Sequence, residues 1–144
     1  IRLPEGLAIT ELEKPDSPWP ESEYRTKELE FDGYVLDKMQ RPIFKYRRDK
    51  ISITDKPVPV GSSTEEKPGV IRRTLKFVCK ETTTNLYLRL AQGNFEKDKD
   101  TFSNSELSLY VKGGEVFAER GELRVPIKFS GGKSELKITY SWAQ

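Results

Sequence analysis

The stretch ELSLYVKGGEVFAERGELRVPIKFSGGKSELKITYSW, Glu106–Trp142, decides the fold. It reads as four short strands over residues 106–112, 115–119, 122–129 and 134–142. In the last of these, Leu136, Ile138, Tyr140 and Trp142 share one face. A period of two places successive side chains on opposite faces of a strand, so one face is buried and the other wet. Gly113-Gly114 supplies the positive φ that a primed hairpin turn requires, Arg120-Gly121 links the next pair, and Gly131-Gly132 opens the last. Three consecutive hairpins predict a C-terminal meander.

The same pattern runs backwards along the chain. Residues 70–80 carry Leu75, Phe77 and Cys79 on one face, and residues 85–91 return with Leu86, Leu88 and Leu90 opposite Tyr87 and Arg89. Residues 50–54 alternate Ile51 and Ile53 inward with Ser52 outward, and residues 31–36 and 43–46 are shorter β-rich runs around a polar turn closed by Pro42. Between them, residues 56–69 are rich in proline and glycine and read as a long loop. Residues 93–104, polar and charged, read as another. No helical period, heptad or fixed-length repeat appears. The expected fold is all-β: an antiparallel β-sandwich, jelly-roll-like, since long loops need places to cross between sheets.

The first residues are a different material. A short strand is expected around Leu7-Ala8-Ile9, followed by Lys14-Pro15-Asp16-Ser17-Pro18-Trp19-Pro20. Proline has no N–H for a ladder and drives its predecessor into extended geometry, so residues 1–27 read as an irregular lead-in packed on a sandwich of residues 28–144. Trp19 reads as an anchor pinned to the domain surface, with an exposed, partner-seeking ring as the alternative. Because the chain begins at Ile1 rather than Met, it is read as a piece of a larger protein, or as one whose leader has been removed.

At 144 residues the chain is long enough to bury one core without staples. Lys+Arg number 25 against 23 Asp+Glu, a balance that does not favour nucleic acid or an anionic membrane, and no apolar run is long enough to span a bilayer. Arg47-Arg48 and Arg72-Arg73 read as solvated strand ends. The single cysteine, Cys79, reads as a small buried hydrophobe.

With no histidine, the commonest general base, the usual nucleophile triad and most zinc sites are missing, so no catalytic residue, metal or cofactor is assigned. Carboxylate-only glycoside chemistry remains open, but Glu28, Glu30, Glu106 and Glu135 read as a charged solvent face beside lysines. Asp98 and Asp100, with Asn94 and Asn104, hold oxygens a calcium ion accepts. They lack the glycine and terminal glutamate of an EF-hand loop, and lysines sit between the carboxylates. Six tyrosines, seven phenylalanines and two tryptophans remain as the chemistry to work with. Tyrosine and tryptophan faces stack on sugar rings, a use open to Tyr24, Tyr34, Tyr46, Tyr87 and Tyr110 with Arg89 or Arg73 alongside; the ligand or docking candidates are Trp19, Tyr34, Arg41, Tyr46, Arg73, Tyr87, Arg89 and Trp142.

One block resembles a known pattern. Phe31-Asp-Gly-Tyr-Val-Leu-Asp37 followed by Arg41-Pro-Ile-Phe-Lys-Tyr46, with Pro18-Trp19-Pro20 upstream, resembles a β-domain of large exported bacterial proteins of planctomycete and Bacteroidetes type. Those proteins combine sugar-dehydrogenase-like propellers with cytochrome c domains. The segments at residues 69–75, 86–91 and 135–142 fit the same order. The resemblance implies an extracytoplasmic module of a multidomain protein, with a cytochrome c or quinoprotein domain as neighbour. Read from the residues themselves, Gly33 suits a bulge, Asp37 suits acceptance of turn N–H groups, and Arg41 suits an ion pair with Asp37.

The leading expectation is therefore a non-catalytic accessory module of an exported, carbohydrate-related protein, docking on neighbouring domains or on a glycan. A carbohydrate-binding module with a Tyr/Trp platform is the alternative, and a carboxylate-based glycan-processing enzyme is the third.

Overall fold

The computed structural model describes residues 8–20, 29–60, 69–81 and 85–142. Among these residues there are strands and turns and no helix, hence none long and apolar enough to cross a membrane. The strands are β1 (Ala8–Glu11), β2 (Leu29–Leu36), β3 (Pro42–Arg48), β4 (Ile51–Val60), β5 (Val70–Cys79), β6 (Leu86–Gln92), β7 (Glu96–Asp98), β8 (Thr101–Ser103), β9 (Leu107–Lys112), β10 (Phe117–Glu119), β11 (Glu122–Pro126) and β12 (Lys133–Trp142). They form two antiparallel sheets: an eight-stranded one ordered β2-β3-β4-β5-β12-β9-β8-β7 and a four-stranded one ordered β1-β6-β11-β10. The sandwich is thus unequal, where a jelly roll has matched layers.

The period-two pattern fixes the core. Ile51 and Ile53 of β4, Leu75 and Phe77 of β5, Leu107 and Leu109 of β9, and Leu136 and Ile138 of β12 are buried on one face of the large sheet. Leu86, Leu88 and Leu90 of β6 and Leu123 and Val125 of β11 meet them from the small sheet. Each such side chain contributes about 1.5–3 kcal/mol by leaving water. Cys79 belongs to this cluster, its thiol donating to the Glu81 carbonyl at 3.1 Å.

The expected meander is corrected. Only β10 and β11 form a hairpin of that series. β9 and β12 pair with each other in the large sheet, while β10–β11 lies in the small one. Gly113-Gly114 therefore carries the chain from one layer to the other instead of folding it back. Alternation says that a strand has a buried face, but not which sheet supplies that face or which strand lies alongside. β12 takes neighbours on both sides, β5 and β9, and their registers keep Leu136, Ile138 and Tyr140 over the core.

Two expected loops are partly strands. β4 continues through Lys56-Pro57-Val58-Pro59-Val60, paired with β5 as far as Val60↔Val70. Its pairing with β3 stops at Asp55, so beyond that point one side of β4 has no ladder and the missing proline N–H groups cost nothing there. Residues 61–68, the rest of the expected loop, lie outside the described residues. Within residues 93–104, β7 and β8 form a small hairpin whose turn holds Lys99 at φ +55°.

The basic dipeptides are also corrected. Period two splits each across the sheet: Arg47 and Arg72 are exposed, whereas Arg48 is buried near Glu11 and Arg73 is paired with Asp55. The lead-in contributes β1, an edge strand on β6, and Leu12 is buried with its N–H on the Asn85 carbonyl. Residues 1–7 and 21–28, Glu28 and Tyr24 among them, lie outside the described residues.

Candidate functional site

β2 and β3 form one end of the large sheet; Leu29 and Arg48 at one end of this ribbon pack on the core and beside Glu11 of β1, but toward its closing turn the ribbon is exposed. Strand register shows which residues there face the same way as the core. Phe31 lies opposite Tyr46, which lies opposite Ile53 and then Phe77. Tyr34 lies opposite Phe44, then Asp55, then Leu75. The core ends of both rows are buried, but Phe31 is 57% exposed, Tyr34 61% and Leu36 51%. An aromatic and aliphatic face thus runs out of the core into solvent.

Gly33 makes this face possible. It sits at φ +98° where the β2–β3 register shifts between Phe31 and Gly33, a bulge that leaves Phe31 and Tyr34 on the same side despite the two residues between them. The rings touch in sequence: Phe31–Tyr46 at 5.3 Å between centroids, Phe31–Phe44 at 6.4 Å and Tyr34–Phe44 at 6.3 Å. Their planes are tilted by 54°, 45° and 57°. The turn closing the hairpin is tied together by Asp37. Asp37 Oδ1 accepts the Met39 and Arg41 N–H groups at 2.8 and 2.9 Å, and Oδ2 meets Arg41 Nε and Lys56 Nζ, both at 3.1 Å. The Arg41 N–H most of all holds the Asp37 carboxyl well below the usual carboxylate range. Burial opposes it, and Lys56, the Met39 N–H and the Arg41 guanidinium assist.

Where the wing meets the core, Arg73 grips Asp55 with a fork: Nε to Oδ1 at 2.8 Å and Nη2 to Oδ2 at 2.5 Å. Burial acts to lower the Arg73 pKa, but the hydrogen bonds and charges of Asp55 and Tyr140 outweigh it and raise it. Tyr140 is 3% exposed, and burial raises its hydroxyl above the ordinary value, with Arg73 acting against. Burial, then the Asp55 charge, likewise raises Tyr46. Trp142 stacks on Tyr140 at 6.0 Å and 20°.

The candidate residues therefore divide. Tyr34 and Tyr46 share the wing, Arg73 borders it through Asp55, Arg41 braces its turn, and Trp142 stands away from it on β12, stacked on Tyr140. Trp19, Tyr87 and Arg89 stand apart on the outer face of the small sheet. There the Trp19 ring lies under two guanidiniums, Arg89 at 5.0 Å and Arg124 at 5.6 Å. Arg124 is fully buried: its Nε donates to Glu122 at 2.7 Å and its Nη1 donates to the Pro15 and Ser17 carbonyls at 2.8 and 2.5 Å. Trp19 is thus a structural anchor. Tyr87 is 6% exposed and its ring face is no platform.

Sequence reasoning passed over Phe44 and Asp55 as site residues and read Phe31 only as part of a motif. Cross-strand register is the property that unites them, and it has no signature in a single strand. Elsewhere, Asn104 Oδ1 accepts the Glu106 and Leu107 N–H groups, both at 2.9 Å, so this oxygen shapes a turn. Among the described residues no three acidic, cysteine or histidine side chains converge as a metal site would need. Asp55 and Glu122, the buried carboxylates described, belong to different sheets and are each held by arginine. No protein-family model, curated protein or solved structure matches the chain.

Proposed function

We propose that the chain is a non-catalytic docking module whose working surface is the exposed wing of β2 and β3, and that its partner is an apolar protein surface presenting an extended strand. The observation that carries this reading is the exposed row Phe31, Tyr34 and Leu36 on β2, the edge strand of the large sheet among the described residues, continuous with the core. Protein edges are ordinarily blunted by shortness or charge. β1, β7 and β10 are four, three and three residues long, and β7 reads Glu-Lys-Asp. β2 is eight residues long and carries exposed Val35 on its other face. Three carboxylates around the wing are matched within the chain, Asp37 by Arg41 and Lys56, Asp55 by Arg73, and Glu30 by Arg47, while Asp32 of β2 and Lys45 of β3 are exposed. An exposed apolar face on an edge strand suits an apolar partner that adds a strand to the sheet.

A glycan platform is the second reading, favoured by Tyr34 and Tyr46 beside the Asp55–Arg73 pair. Mutual tilts near 50° suit rings packed against one another more than a flat stacking surface. An exported setting beside a cytochrome c or quinoprotein domain rests on the sequence resemblance and belongs to this proposal as its cellular context.

The test is amide-resolved NMR of the chain titrated with ten-residue peptides of alternating apolar residues, and separately with neutral oligosaccharides. Saturable peptide-induced shifts and exchange protection along β2, lost in Phe31→Ser/Tyr34→Ser, support docking. Oligosaccharide shifts at Tyr34 and Tyr46 without peptide response transfer the function to the second reading. Silence to both, with the double variant indistinguishable from the parent, overturns the proposal.

A further inference from the structure

The opposite face of the same large sheet has a different composition. On β3, β4, β5, β12 and β9 the alternate positions facing away from the core include Lys45, Lys56, Arg72, Lys76, Lys137 and Lys112. All are exposed except Lys56, which is half-buried. Glu135 is the one carboxylate on that face of these five strands; Glu30 lies on the flanking strand β2, and Glu96 and Asp98 lie on β7. A chain of net charge +2 thus carries a local excess of cations on this face, with acids on the flanking strands.

Register makes the arrangement more specific. Lys56, Thr74, Lys137 and Lys112 stand opposite one another in a straight row across β4, β5, β12 and β9. Lys137 and Lys112 are directly opposed, and like charges in that position destabilise a sheet. Lys137 reaches Glu135 at 3.7 Å and Lys56 reaches Asp37, but among the described residues no carboxylate lies within ion-pair distance of Lys45, Arg72, Lys76 or Lys112. Thr54, Thr74 and Thr139 stand among the cations and offer neutral hydroxyl donors. Strands about 4.8 Å apart spread the six cations over a patch roughly 20 Å wide.

We infer that this face binds a linear acidic polysaccharide, one carrying sulfate or carboxylate groups along an extended chain. The cations neutralise its charges and the threonines supply hydrogen bonds. A single nucleic-acid strand is disfavoured because such strands are held largely by stacking on aromatic rings, and Tyr110 alone among the exposed large side chains of these central strands is aromatic. Among the described residues the face is a sheet surface and has no helix to enter a duplex groove. The inference stands independently of the docking wing, which is built from the other face.

The experiment is calorimetric titration of the full chain with heparin, with desulfated heparin, with the carboxylate polymer alginate and with oligo-dT, at low and at physiological salt. The expected result is saturable binding of heparin or alginate, whichever anion is preferred, that weakens as salt rises. Both Lys112→Glu/Lys137→Glu and Arg72→Glu/Lys76→Glu should weaken it by about tenfold or more. Lys38→Glu/Lys128→Glu, off this face and of identical net charge, should leave it unchanged. Glutamine replacements at the same positions, with unfolding midpoints measured beside them, separate lost binding from lost folding. No binding to either acidic polymer, equal loss in the control reversal, or tighter binding to oligo-dT overturns the inference.

Discussion

Gly113→Ala tests the crossing between sheets. At φ +105° the residue lies beyond the small left-handed region that side chains tolerate, and a Cβ there would stand 2.4 Å from the Glu135 carbonyl oxygen. The obstacle is backbone of β12, which is held between β5 and β9, so it does not rotate away. Conformational strain contributes about 1–3 kcal/mol, and the displacement forced on β12 adds a further ~1–3 kcal/mol. A total of about 2–6 kcal/mol is a large share of the roughly 5–15 kcal/mol typical of a domain's stability. Gly121 is the internal control. It too has positive φ, +70°, but nothing lies within 4 Å of its added Cβ, so alanine there meets conformational strain alone, about 1–2 kcal/mol. Urea unfolding of the two variants beside the parent reads the difference directly. With a slope of about 2 kcal/mol per molar, the further ~1–3 kcal/mol at Gly113 should lower the midpoint of Gly113→Ala by roughly 0.5–1.5 M more than that of Gly121→Ala. Equal losses would refute the close passage over β12 and restore a simple hairpin turn at Gly113-Gly114.

Asp55→Ala leaves the half-buried Arg73 guanidinium without its fork and should destabilise by about 1–3 kcal/mol, while Asp55→Leu/Arg73→Met should recover most of that loss. A destabilisation under about 1 kcal/mol in urea would show that the pair is solvated. Asp37→Asn probes the turn by pH. The folded carboxyl is held below its ordinary value of 3.8, so its contribution is fully present above that pH and is lost as pH falls through the folded value. The parent should therefore exceed the variant in unfolding midpoint at pH 7, with the gap closing below pH 3.8; a gap independent of pH removes the charge from the explanation. Trp19→Ala uncovers Arg89 and Arg124 and should cost about 2–4 kcal/mol, with Trp142 as the remaining fluorescence reporter. An unchanged midpoint would mean that residues 14–20 are not pinned by the ring. Phe31→Ser/Tyr34→Ser removes side chains that are more than half exposed, so stability should change by no more than ~1 kcal/mol, against about 3–5 kcal/mol for the fully buried Phe77→Ala.

Alternation was enough to place most of the core. Leu75, Phe77 and Cys79, Leu86, Leu88 and Leu90, and Leu136, Ile138 and Tyr140 are buried because period two forces every second residue to one side, and each run has its apolar residues in phase. The Gly33 bulge and the Asp37–Arg41 turn were legible for a related reason. Both are local devices whose geometry depends on a few neighbouring residues. Trp19 as an anchor was legible from the prolines around it, though its two arginine partners, seventy and more residues distant, were not.

Pairing was not legible. Gly113-Gly114 reads locally as a hairpin turn, and what overrides it is that β12 takes β9 as its neighbour, a contact between residues far apart in the chain. Pro57 and Pro59 read as loop, and what admits them to β4 is the absence of a β3 ladder beyond Asp55. The wing and the basic face share this origin. Phe31, Tyr34, Phe44 and Tyr46 become one surface, and Lys56, Lys137 and Lys112 one row, only when separate strands are set side by side in register. The sequence by itself determined that the strands are amphipathic, because side-chain direction follows from the backbone repeat alone. Which strands are neighbours, and how far the small sheet extends over the large one, was decided by tertiary structure, because those depend on competition among many similar strands for the same buried face.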